Sequence, residues 1–403
     1  MRRIGSALTA LALGATLGGC WLQPGYDAGR TNWNASEGWL DAGNVGLLAE
    51  VWDTQVPSAT GVNAPLAFGG AVYATTTSGD AAAIDDATGT LRWSRDFYDE
   101  PSGFAPSLSA PAWHRGALWV PGAVYRFGGL LQLSPADGTT VSGGFGGNPT
   151  GAVSVADDQV ASLSGTFNSS GFGLASVVWK YSPTILYTLS GSVPGSDFAI
   201  VGDRVLWSQG PQALGFSPAC PPQPPEIPIG GCAPDWATDL GGGRPTSPAA
   251  VGPSGVVYAD ATGTVTVLDV VTGAVQWTAE LGAATSVAPA VAGDAILVAT
   301  DDGRLVALPA AGCGAATCTP VWEASVGGTP ATAPVVGGEV VYVATTAGDV
   351  AAFPLGGCAS PPPCAPLTTV SAGSRVTGGP IVHDGRVVVG TEDGRLVAFG
   401  LPG

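Results

Sequence analysis

The 403-residue sequence predicts an all-β fold, an eight-bladed β-propeller of four-stranded antiparallel sheets, with seven blades as the alternative if the third and fourth units merge. Composition is the first ground. Gly 62, Pro 34, 45% hydrophobic and only 11% charged residues describe short apolar strands cut by turns, not helices rich in Glu and Lys. The second is a pattern that recurs about every 45 residues. The third is that the two chain ends supply complementary parts of one sheet.

In chain order, the first element is a targeting segment. Arg2 and Arg3 precede an apolar run from Ile4 to Leu17, too short to span a bilayer. The run ends in Leu17-Gly18-Gly19-Cys20, which resembles a bacterial lipobox. That resemblance implies removal of residues 1–19 and acylation of Cys20, which would tie the protein to a membrane. An ordinary secretory signal with a chance cysteine is the alternative. Residues 20–43, with Pro24-Gly25 and few apolar runs, read as a short linker packed on the ring, and 44–403 as the propeller domain.

The repeat starts at a small residue before proline: Ala64-Pro65, Ala110-Pro111, Ser247-Pro248, Ala288-Pro289, Ala333-Pro334 and Gly379-Pro380, with weaker equivalents near Ala152 and Ala199. A short apolar strand follows, then a Gly/Asp turn and a second strand such as Val72-Tyr73-Ala74, Val257-Tyr258-Ala259 or Val341-Tyr342-Val343. Glycine turns the chain into an alternating third strand, as from Gly263 to Leu268 and Gly303 to Leu308, and the alternation turns one side to a core. A turn such as Asp86-Ala87-Thr88-Gly89 or Val271-Thr272-Gly273 comes next, with tryptophan four residues after the glycine, at Trp93 and Trp277. Trp236 and Trp322 hold the same slot in units four and six, whereas Ser142 stands there in unit two. Sheets this small must stack to bury both faces, so these tryptophans read as blade-packing residues. The last unit lacks a fourth strand, and residues 44–52, ending in Trp52, can provide it and close the ring.

Ala-Pro, Val-Tyr-Val, Gly-x-Leu-x-Ala-Leu-Asp and Thr-Gly-x-x-x-Trp together resemble the PQQ-type propeller repeat, which builds bacterial quinoprotein dehydrogenases and the BamB-like lipoproteins of outer-membrane assembly. The match runs from about residue 44 onward, and units two, three and four are degenerate. By that resemblance the function is to hold protein partners in an envelope assembly, without catalysis and without a cofactor. Two other classes stand beside it, a PQQ-dependent dehydrogenase and an envelope sensor that binds a glycan or peptide. The dehydrogenases use adjacent cysteines beside the quinone, a calcium-binding acid and amide set, and long insertions. This sequence has no adjacent cysteines and no Cys-x-x-Cys-His haem motif. The net charge of −17 argues against a nucleic-acid partner.

Apart from Cys20, six cysteines remain. The repeat register puts Cys232, Cys318 and Cys364 where Gly89 and Gly273 stand, with Cys220, Cys313 and Cys358 across the same turn, so the expected pairs are Cys220 with Cys232, Cys313 with Cys318 and Cys358 with Cys364. Each closed loop is worth roughly 2 to 3 kcal/mol on the loop-entropy account. Spread over three blades, they cannot converge on one zinc ion. His114 and His383 occupy equivalent turns of separate blades and suggest no shared catalytic or metal role. The Asp301-Asp302-Gly303 and Glu392-Asp393-Gly394 turns read as tight hairpins, not calcium loops. The stapled hairpins should lie on one face of the ring and these turns on the other.

Overall fold

A computed structural model describes residues 19–402 except 58, 98–106, 125–126, 144–147, 150, 157–158, 163, 168–172, 176, 181–188, 191–197, 218–233, 242–248 and 359–363. All but the third of the sequence units form up-and-down sheets of four strands. In the fifth, strands Ala250–Gly252, Gly255–Ala259, Thr264–Leu268 and Val275–Glu280 pair in that order, each antiparallel to the next. The anchor prolines stand just before innermost strands, as Pro65 before Leu66–Phe68 and Pro289 before Ala290–Ala292. A residue that cannot donate to the ladder is tolerated at that entry point.

Among the described residues eight inner strands follow one another: Leu66–Phe68, Ala112–His114, Ser154–Ala156, Ala199–Val201, Ala250–Gly252, Ala290–Ala292, Val335–Gly337 and Val376–His383. Consecutive inner strands touch from the second to the eighth, and the eighth touches the first. Blades one and two share a core of Leu66, Tyr73 and Ala83 with Leu118, Val120 and Leu133. Among the described residues blade three has three strands, and the chain between its second and third strands pairs with the flanking segments into a further small sheet formed by Asn148–Pro149, Ser164–Phe167, Gly173–Ala175 and Leu189–Ser190.

The cores lie between sheets, as strand alternation requires. In blade six, Ile296, Val298 and Val306 pack on Val257, Val265 and Val267 of blade five. The intervening Leu297, Ala299 and Leu305 face Val341, Val343 and Ala351 of blade seven. Blade eight is completed by the N-terminal strand Ala49–Gln55, antiparallel to Arg395–Gly400 with Ala49 opposite Gly400 and Gln55 opposite Arg395. That strand begins later than the expected residue 44. Asp41 Oδ1 accepts hydrogen bonds from the Gly43 and Asn44 amides, and Val45–Leu47 winds into one 3-10 turn before the strand.

Candidate functional site

The site is the axis of the ring, and the chain's own N-terminal residues fill it. In a three-residue inner strand, the outer two residues bond to the second strand while the middle one points its backbone groups at the axis. Eight such edges would leave polar groups unpaired. Residues 21–34 bond to each inner strand in turn. Trp21 exchanges two backbone bonds with Ala67, at 2.8 and 2.9 Å, and the Trp113 amide donates to Leu22 O. In blade three, Val155 N donates to Gln23 Oε1 at 2.7 Å and Val155 O accepts from Gln23 Nε2 at 2.9 Å. The amides of Ile200, Val251, Val291 and Val336 donate in turn to the carbonyls of Ala28, Gly29, Thr31 and Asn32. In blade eight, Asn34 Nδ2 donates to Val382 O at 2.9 Å.

This strap is polar yet buried, with Gln23, Arg30, Asn32 and Asn34 all enclosed. Asp27 organises its bend, accepting from Thr31 N at 3.0 Å and Thr31 Oγ1 at 2.7 Å, while burial pushes its carboxyl above the ordinary carboxylate pKa. Tyr26, Arg30 and Asn32 hold φ of 75°, 57° and 55°, a left-handed backbone that non-glycine residues adopt at a cost. The contacts with the inner strands over-determine that conformation. After residue 34 the segment runs over the face that carries the first-to-second and third-to-fourth strand turns. There Glu37 accepts from the Gly385 amide at 3.1 Å.

At the seam between blades eight and one, Asp86 receives Arg386 Nη1 at 2.9 Å and faces His383 Nε2 at 3.5 Å. Burial holds the His383 imidazole down to about 4 and pushes the Asp86 carboxyl up, with the Arg386 charge opposing the latter. Cys20 sits at the same seam, half-buried beside Gly69 and Asp384, with its thiol pushed up by that burial. His114, in the equivalent position of blade two, is also buried.

Four tryptophans bridge neighbouring blades through their indole N–H. Trp52 donates to Asp86 O at 2.8 Å, Trp93 to Pro135 O at 2.9 Å, Trp236 to Val270 O at 3.1 Å and Trp322 to Leu355 O at 3.2 Å. Trp277 instead lies over Gly312. Ser142, in blade two, is exposed in the outer strand Thr140–Gly143.

Disulfides join Cys313 to Cys318 and Cys358 to Cys364, each with Cα atoms 5.7 Å apart. Cys220 and Cys232 lie outside the described residues. The glycine register differs from the expected one in these two blades. The glycines beneath Trp277 and Trp322 are Gly312 and Gly357, so Cys318 and Cys364 do not take the glycine slot. They close an added loop behind it. The returning arms lie parallel to the preceding blade's outer strand, at Thr278 with Thr317 and Ala324 with Cys364.

The acidic turns are internally satisfied. Asp302 is engaged by Thr300 and Arg304, and Asp393 by Thr391 and Arg395. Among the described residues no group of three or more His, Cys, Asp or Glu side chains is placed to hold a metal. Beyond the axis, an open groove of about 560 Å³ runs between blades six and seven. Leu308, Val321, Trp322 and Leu355 make it apolar, and Asp294 and Glu339 add carboxylates.

The fold recurs in solved structures. BamB from Moraxella catarrhalis superposes with a TM-score of 0.61 at 14% identity, over 88% of this chain and 97% of that one. The quinohemoprotein alcohol dehydrogenase of Comamonas testosteroni gives 0.70 at 14% identity, over 97% and 82%, and a europium-containing methanol dehydrogenase gives 0.71 at 14%, over 95% and 98%. At such identities the likeness is one of fold. No curated protein matches the sequence. The family described as outer membrane protein assembly factor BamB matches residues 49–169 and 196–401, most of the length, and the chain belongs to that family.

Proposed function

We propose that the protein is a non-catalytic lipoprotein scaffold of the cell envelope, which holds partner proteins during outer-membrane protein assembly. In this reading residues 1–19 are removed, Cys20 is acylated, residues 20–43 pack into the ring and residues 44–403 form the propeller. The observation that carries it is the strap: a planar quinone on the axis would have to displace a segment bonded to every inner strand. The residues present fit the quinone poorly in other ways. The described cysteine pairs lie on hairpin loops between blades, and the turn carboxylates are already engaged by arginine and threonine. What remains available is surface. The groove between blades six and seven, apolar with two carboxylates, suits an aliphatic and basic segment of a partner protein.

Two measurements test this. Photo-crosslinking from position 321 in the native cell, with Cys20 intact, should give discrete protein adducts that Glu339→Lys weakens. Titration of the purified protein with PQQ and calcium should give no saturable quinone absorbance and no dye reduction. Saturable binding with turnover would replace the scaffold by the dehydrogenase reading.

A further inference from the structure

The strap leaves no slack between Cys20 and the ring. Trp21, the next residue, is almost fully buried, bonded through both backbone groups to Ala67, and packed edge-on against Tyr26 at 5.0 Å. One trans peptide reaches about 3.8 Å. An anchor on Cys20 would therefore hold the propeller by a fixed point on its surface, not by a tether of tens of ångströms. That point lies beside the blade-eight turn Asp384-Gly385, on the face that carries the stapled hairpins.

The surroundings of the same turn are apolar. Trp39, 70% exposed, rests its Cβ against Gly385, and its carbonyl is held by Asn44 Nδ2 at 2.8 Å. Leu47, in the 3-10 turn that follows, is 63% exposed. Val51, 43% exposed, flanks Gly400, which pairs with Arg386 across the blade-eight hairpin. Indole and branched aliphatic side chains on a rigid face suit the headgroup boundary of a bilayer. Asp41, Glu50 and Asp384 are exposed nearby, which favours a zwitterionic surface over an anionic one.

We infer that the propeller rests on its membrane through the blade-eight side of this face, with Trp39, Leu47 and Val51 in the headgroup layer around Cys20, the groove between blades six and seven of the same face open to a partner at the bilayer surface, and the opposite face turned to the aqueous space. The inference rests on the proposal that Cys20 is acylated. The test uses the full-length protein extracted from its native membrane and returned to phosphatidylcholine vesicles carrying headgroup nitroxide lipids. An NBD label is placed by Gly46→Cys, a site with open space around it, or by Ala261→Cys on an exposed turn of the opposite face. Quenching should be greater at 46 than at 261 by roughly threefold or more, since a strand of this length separates the faces by about 20 Å. Trp39→Ser with Leu47→Ser should reduce quenching at 46 without releasing the protein. Equal quenching at both sites, or none at 46, in protein that stays on the vesicles would overturn the orientation and leave the patch to a protein partner. Protein that does not stay on the vesicles, with an unmodified cysteine by mass, would instead remove the acylation reading and this inference with it.

Discussion

At the scale of single residues, the ring is held by a tryptophan set over a glycine. Gly89 and Gly273 have φ of 71°, and a β-carbon at either would lie 2.6 Å from Trp52 or Trp236. Glycine is thus required by backbone and by space together. Trp236→Ala should cost about 3–5 kcal/mol in urea unfolding, as other large-to-small core changes do. Gly273→Ala should be destabilising as well, which would separate this packing from surface decoration. The blade-one seam adds a pH dependence. Burial keeps His383 neutral down to about 4, so between pH 6.5 and 4 only the unfolded chain takes up that proton, and stability falls on acidification by up to about 1.4 kcal/mol per pH unit. Asp86, raised above its ordinary value, binds its proton first in the folded state and offsets part of the loss at the acid end. The urea midpoint should therefore drop from pH 7 to pH 5, and His383→Gln should flatten the slope. An unchanged slope would place the sensitive group elsewhere. The tryptophan slots were legible in the sequence because the repeat fixes their spacing. The His383–Asp86 encounter was not, since the two lie in the last and first blades and only ring closure brings them together.

Among the elements, the stapled loops and the strap act on exposed edges. The Cys313–Cys318 loop lays Thr317 along Thr278, so a disulfide in blade six covers the outer strand of blade five. Cys313→Ser with Cys318→Ser should lower stability by about 2 kcal/mol, read by urea unfolding, and mild reductant should do the same to the parent. The anchors, the alternating strands and the closing strand were readable because each obeys a two-residue period or a turn rule. The strap obeys neither. Its bonds to the blades run mostly through backbone carbonyls, and Gln23, Arg30, Asn32 and Asn34 look in sequence like the polar composition of a linker. The shift of glycine from the cysteine slots to Gly312 and Gly357 escaped for a related reason, because the added loop changes the distance to tryptophan without changing the motif.

For the whole molecule, closure is made twice, by the strand Ala49–Gln55 in blade eight and by a strap that touches every inner strand. A chain beginning at residue 44 keeps the first closure and loses the second. Its far-ultraviolet spectrum should stay that of a β-protein while its unfolding midpoint falls and amide exchange quickens at Val251, Val291 and Val336, whose partners are gone. Unchanged exchange at these amides would show that water serves the axis as well as residues 21–34 do. The strap also fixes an order of events. It leaves the synthesis machinery before any of the strands it will bind, and the partners Asn34 and Val382 stand 348 residues apart. Contacts of such separation form late, because the intervening loop must be closed before they return any energy. The axis can therefore be completed only once blade eight exists, so the N-terminal segment, the first to be made, waits for the last strands before its seating is finished.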